Sequence, residues 1–201
     1  MMDYSSIPEN KKAVIFEFDD VLFPKKDYDL QVYYLFANFI EYLESFPPAQ
    51  DVVAFVQKRY ENHQNQKMFE AISKTFGIDE KYKENLLLLF SNAKLPLKLL
   101  LFKEALTLLQ ELAINRKQIY ILTSGDPQQQ LNKITQTEWH GLDQYLKVYF
   151  TDEFEKKPSN QALVHILKEH QLRKEEVVFI GISDEDKVMA ENCGIDYKSL
   201  I

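Results

Sequence analysis

Residues 13–22, AVIFEFDDVL, decide how this chain folds. Ala13-Val14-Ile15-Phe16 is an unbroken apolar run, and Glu17, Asp19 and Asp20 close it around Phe18. A short run of β-branched and aromatic residues with acids at its end predicts a parallel strand over 13–18, buried on both faces, with its chemistry at the C-terminal tip. Downstream, residues 27–94 change texture. Apolar residues recur at helical intervals, as in Leu30, Tyr33, Tyr34, Ala37, Ile40 and Leu43. Pro47-Pro48 and Gly77 break the pattern, Gly77 where a helix can end in left-handed geometry. Asp79 offers an N-cap to the helix after it. About four helices are expected there.

From about 102 the chain alternates. A helix over 102–114 leads to a strand at 118–122, and a helix near 127–138 leads to a strand at 147–150. A helix over 159–170 leads to a strand at 176–181, and a helix over 185–193 to a last strand near 196–200. Strand–helix–strand units at this spacing imply right-handed crossovers and a parallel sheet. The predicted class is α/β: a Rossmann-like parallel sheet of about five strands with helices on both faces, and an inserted all-helical segment. Ligands of such sheets sit beyond the carboxyl ends of the strands.

With 201 residues, 45% of them hydrophobic, the chain can bury a real core. The net charge of −7 argues against nonspecific binding to nucleic acid or an anionic membrane, but leaves room for a small anionic ligand in a locally positive pocket. A single cysteine, Cys193, excludes an internal disulfide and a Cys-rich metal site, and a reducing cytoplasm is the expected location. Met1–Asn10 has neither an apolar run nor a basic lead, so no signal peptide is expected. No apolar stretch is long enough to span a bilayer.

Four strand tips carry polar residues. At the first, Glu17 and Asp19 stand two apart, so both carboxylates leave one side of the strand. Such a pair can share a divalent cation, or divide nucleophilic attack and proton transfer; it can also be simply solvated. At the second, Thr123-Ser124-Gly125-Asp126 forms a strand-to-helix turn that can cradle a phosphate or merely cap a helix. At the third, Lys156-Lys157-Pro158 offers an ammonium that can neutralise an anionic nucleophile and substrate, or a solvated surface pair. At the fourth, Gly181-Ile182-Ser183-Asp184-Glu185-Asp186, Ser183 and Asp186 read as a capping box, with Asp186 alternatively placed near a metal.

Taken in order, these tips resemble the motifs of the haloacid dehalogenase superfamily, most of all its branch with a helical cap, which includes β-phosphoglucomutase and small phosphatases. That family has Asp-x-Asp after its first strand, where this chain has Glu17-Phe18-Asp19. Its Thr or Ser matches Thr123, its Lys before Pro matches Lys157-Pro158, and its Gly-Asp-x-x-x-Asp falls on Gly181, Ile182 and Asp186. The resemblance covers about 12–200. It implies a core formed by 1–24 and 96–201 with a helical cap at 25–95. It implies Mg²⁺ as cofactor, held through Glu17, Asp19 and Asp186, and a small phosphorylated metabolite or other anion as ligand. Glu17, Asp19, Thr123 and Lys157 would take the catalytic positions, and Thr123, Ser124, Gly125 and Lys157 would contact the phosphate.

Two departures cut against turnover. Glu17 replaces the family's nucleophilic Asp, and Ile182 replaces an acid that ligates the metal. Glu carries its carboxylate about 1.5 Å farther out, one carbon–carbon bond. Misplacement by about 1 Å can cost on the order of 10²-fold in rate. The expectation is therefore a hydrolase-family chain with weak or lost Mg²⁺-dependent phosphatase activity. The alternatives are an active phosphohydrolase or phosphomutase, and a protein-interaction module using the aromatics of the helical insert: Tyr33, Tyr34, Phe36, Phe39, Tyr42, Phe46, Phe55, Tyr60 and Phe69. Those aromatics can equally pack the insert's own core. Lys25-Lys26 read as solvated, and His140 as a surface or packing residue.

Overall fold

The structure, a computed structural model, describes residues 7–200. Met1–Ser6, part of the stretch read for a signal peptide, lie outside the described residues, as does Ile201. In chain order the elements are β1 (Ala13–Phe16), α1 (Lys25–Glu44), α2 (Ala49–His63), α3 (Met68–Phe76), α4 (Lys83–Asn92), β2 (Leu99–Leu100), α5 (Lys103–Ile114) and β3 (Gln118–Thr123). There follow α6 (Pro127–Gln136), β4 (Thr137–Glu138), β5 (Leu146–Phe150), α7 (Gln161–Glu169), β6 (Val177–Gly181), α8 (Asp184–Cys193) and β7 (Asp196–Ser199). The chain divides into two compact units. One comprises residues 1–24, 100–130 and 137–201, and the other comprises 25–99 and 131–136. Segment 131–136 thus groups with the helical unit, although the sequence places it in the core.

The first unit holds a five-stranded sheet in the order β5-β3-β1-β6-β7. All four pairings are parallel. β1 is central, and the chain adds strands first on its β3 side and then on its β6 side. This order puts a topological switch beside β1, where the C-terminal ends of β1, β3 and β6 open a crevice. The strand sequences fit their places. β1 and β6 are buried throughout, and β3 at every position after Gln118, whereas the edge strands β5 and β7 are half-exposed. Ala13 and Ile15 pack with Leu163, Ile166, Phe179, Met189 and Ala190 in one core that joins the sheet to α7 and α8. The larger of these, Ile15, Leu163, Ile166, Phe179 and Met189, contribute about 1.5–3 kcal/mol each on burial.

At the opposite, N-terminal end of the sheet an ion network closes the strands. Lys11, almost fully buried, donates to the carbonyls of Glu175 and Val177 and pairs with Asp196 at 2.6 Å. Glu176 accepts from the Arg173 guanidinium at 2.8 Å and from its backbone N–H at 3.0 Å, and pairs with Lys12 at 2.7 Å. The Arg173 and Lys12 hydrogen bonds hold the Glu176 carboxyl down at about 2. A carboxyl depressed in the folded state contributes stability above its ordinary value of 4.5, and that contribution is lost as pH falls toward about 2. Thermal unfolding of Glu176→Gln against the native chain should therefore show a deficit at neutral pH that closes between about pH 5 and pH 2. A deficit independent of pH would contradict this.

The helical unit contains α1 to α4. Gly77 ends α3 in left-handed geometry at φ 71, and the Asp79 side chain caps the 3₁₀ turn that opens α4. Tyr33, Phe36, Tyr60 and Phe69 are buried and pack this unit's own core, while Tyr34, Tyr42 and Phe46 are exposed. Lys25 is not merely solvated: its ammonium lies 2.8 Å from the fully buried Asp29, which also accepts from the Tyr60 hydroxyl at 2.7 Å. Among the described residues no helix is long and apolar enough to cross a membrane.

Candidate functional site

Four strand ends of the sheet unit supply the site. β1 leaves the ladder at Glu17, whose N–H still bonds the Ile180 carbonyl at 2.9 Å. A tight turn follows, closed by Leu22 N–H to Phe18 O and by Asp20 N–H to Phe23 O, with Asp20 at φ 58. Phe18 is fully buried against Phe23 and Trp139, with ring centroids 4.7 and 6.0 Å away. Alternation then sends Glu17 and Asp19 away from that aromatic anchor. Trp139 is core, and the neighbouring His140 is exposed.

Lys157, in the loop before α7, joins the first tip to the fourth. Its ammonium donates both to Glu17 Oε2 and to Asp186 Oδ1. All three side chains are more than nine-tenths buried. The other Glu17 oxygen accepts from the Phe18 N–H at 3.1 Å. The second Asp186 oxygen accepts from the backbone N–H groups of Ile182 at 3.3 Å and Ser183 at 3.1 Å, and Ser183 Oγ accepts from the Asp186 N–H. The capping box and the site contact are therefore both present, one on each carboxylate oxygen. Burial pushes the Glu17 carboxyl up, and Lys157 offsets only part of that rise. Burial also works against the Asp186 carboxylate, but Lys157 and Ser183 outweigh it and hold Asp186 below its usual range. Burial pulls Lys157 down, and the two acids more than reverse this.

Gly181 is what lets Asp186 come so close. A β-carbon built at Gly181 would stand 2.7 Å from Asp186 Oδ2, inside any real contact. Gly181→Ala should displace the Asp186 carboxylate and cost about 1–3 kcal/mol as overpacking does. Chemical denaturation measures this, and an unchanged midpoint would show that Asp186 is not fixed there.

The β3–α6 turn does cap its helix, and it leaves Thr123 free of that task. Asp126 does the capping, accepting from the Gln129 N–H at 2.7 Å. Gly125 takes φ +108, a backbone that favours glycine. Thr123 is fully buried, and its Oγ1 has no hydrogen-bond partner among the described residues. A buried hydroxyl left in this state suits a ligand oxygen. Gln130, which the sequence reading missed, donates from Nε2 to Ser124 O at 2.5 Å and to Asp19 Oδ2 at 3.3 Å. Three glutamines stand in a row at 128–130. Only the helix start at Pro127 decides that the third turns inward.

The structure thus joins Glu17, Lys157 and Asp186 by direct contact, and links Asp19 to the Thr123–Gly125 turn through Gln130. The residues present do not fit a divalent cation. Among the described residues no group of three His, Cys, Asp or Glu side chains is placed to hold one, so Glu17, Asp19 and Asp186 do not form such a set. Every oxygen of Glu17 and Asp186 already faces a donor, and Ile182 offers no side-chain oxygen. Hard cations such as Mg²⁺ require a near-octahedral oxygen shell.

Residues 14–199 match the family described as haloacid dehalogenase-like hydrolase. No curated protein matches the sequence. Among solved structures, a putative β-phosphoglucomutase from Thermotoga maritima is 20% identical with a TM-score of 0.64, over 92% of this chain and 82% of that one. The putative hydrolase YfnB from Bacillus subtilis, solved bound to magnesium, is 17% identical with a TM-score of 0.64, over 93% and 85%. A hydrolase from Streptococcus pneumoniae TIGR4 is 15% identical with a TM-score of 0.55, over 94% and 92%. At these identities the likeness is one of fold.

Proposed function

The chain belongs to the haloacid dehalogenase-like hydrolase family, and on that premise we propose that it binds a small phosphorylated metabolite or related anion with weak or no Mg²⁺-dependent phosphatase turnover. The observation that carries this is the state of Glu17. The carboxylate at the nucleophile position is held on one oxygen by the Phe18 N–H and on the other by Lys157. Burial favours its protonated form. A carboxylate whose two oxygens are both taken up by donors is a poor nucleophile toward phosphorus.

The binding half of the site supports retention of a ligand. Thr123 presents a buried hydroxyl without a partner among the described residues, at the start of a glycine turn. Gln130 ties the Asp19 carboxylate to this turn, and on this reading Asp19 exchanges a proton with the bound ligand. The retained Asp19 also favours a second reading, an active Mg²⁺-dependent phosphohydrolase or phosphomutase in which Asp19 serves the leaving group.

A panel of phosphorylated metabolites assayed with the purified chain and Mg²⁺ separates the two. Binding detected by calorimetry without comparable turnover supports the first. Robust turnover that Glu17→Gln abolishes supports the second and overturns the first.

A further inference from the structure

Gln130 has no chemical role in the reaction proposed above, yet it is the group through which Asp19 meets the Thr123–Gly125 turn. It is nearly fully buried on the first turn of α6, where its N–H bonds Asp126 O at 2.9 Å. Both contacts of its side chain are made from Nε2, to Ser124 O at 2.5 Å and to Asp19 Oδ2 at 3.3 Å. An amide nitrogen has two hydrogens, so these two acceptors use its whole donor capacity.

The other end of the amide shows which contact governs its pose. Oε1 is buried with no hydrogen-bond partner among the described residues. Turning the amide over would expose Oε1 to donors only if some lay on the Nε2 side. That side holds a carbonyl and a carboxylate, both acceptors, so the flipped amide would face repulsion from each. The orientation is therefore fixed by what Nε2 donates to, and an unsatisfied acceptor is tolerated to keep it. The Gly125 backbone runs close to the amide: a β-carbon there would lie 3.5 Å from Nε2, in ordinary contact, so glycine is required by its φ of +108 and not for room.

We infer that Gln130 is a positioning residue that fixes the Asp19 carboxylate and ties it to the Thr123–Gly125 turn. Asp19 sits within the tight turn that follows β1, and the Thr123–Gly125 turn follows β3. One amide spans the two, so a ligand seated on the β3 turn meets a carboxylate already held in place. Ser124 O anchors the amide and Asp19 Oδ2 receives its second hydrogen. The inference rests on the assignment of Asp19 as the acid–base group, and its test uses no turnover, so it stands or falls separately from the proposed loss of activity.

The test is nuclear magnetic resonance of the ¹⁵N-labelled native chain. The Gln130 side-chain amide should carry downfield, exchange-protected protons, and in Asp19→Ala one of the two should lose that protection while the backbone spectrum away from β1 is preserved. A Gln130 amide signal unchanged in Asp19→Ala overturns the inference. As a second measurement, a crystal structure of Gln130→Met, which keeps the side-chain length and removes the donor, should show the Asp19 carboxylate in a different or split rotamer. Asp19 retained in its native rotamer there would equally overturn it. If Gln130→Met does not fold, the Asp19→Ala spectrum decides alone.

Discussion

Glu17→Asp combined with Ile182→Asp should raise Mg²⁺-dependent phosphatase turnover by on the order of 10²-fold or more over the native chain. The first change withdraws the carboxylate by one carbon–carbon bond and so breaks its fit against both the Phe18 N–H and Lys157. The second replaces a hydrocarbon at the β6 tip with a carboxylate, beside Asp186 on the same helix start. The two act on one step, so their effects should not add: each alone should give far less than the pair. Steady-state kinetics on a phosphate monoester, with and without Mg²⁺, measures this. A double variant no faster than the native chain would contradict the placement of Glu17 and Ile182 in the reacting centre.

Lys157→Met should be the most destabilising single change in the site. It leaves Glu17 and Asp186 buried and facing each other without the cation between them. Removing one partner of a buried ion pair costs about 3–5 kcal/mol. The sign of the pH dependence follows from Asp186, which Lys157 holds below its ordinary value of 3.8. That contribution is present above the ordinary value and vanishes as pH falls below it, so the deficit of Lys157→Met should be largest near neutrality and shrink in acid. Glu17 works in the same direction: without the ammonium its neutral form is favoured further, which makes acid the less costly condition. Adding Glu17→Gln to Lys157→Met should recover part of the loss at pH 7. A deficit equal at about pH 2 and pH 7, with no recovery in the double variant, would show that the lysine contributes packing alone.

The sheet is legible in the sequence because a parallel strand buried on both faces must be apolar throughout, and AVIF, IYIL and VVFI are. The site is legible because each such run ends in polar residues, and crossovers bring those ends to one edge. Other features depend on information that the pattern lacks. β2 and β4 are two residues each, too short for any periodicity. The strand expected over 13–18 stops at Phe16, because the turn bond from Leu22 back to Phe18 competes with the ladder. Gln130 is indistinguishable from Gln128 and Gln129 until the phase of α6 is known. The sequence also cannot show that Glu17 turns one oxygen onto its neighbour's N–H, since that depends on a rotamer rather than on spacing.

With Lys157 seated between Glu17 and Asp186, and Ile182 offering no oxygen, the site should hold no divalent cation. The direct measurement is anomalous scattering from native crystals soaked in Mn²⁺, which takes the same oxygen-rich octahedral shell as Mg²⁺. No anomalous peak should appear beside Glu17 and Asp19, and the Lys157 ammonium should remain between Glu17 and Asp186. A strong peak there, with Lys157 displaced, would contradict it.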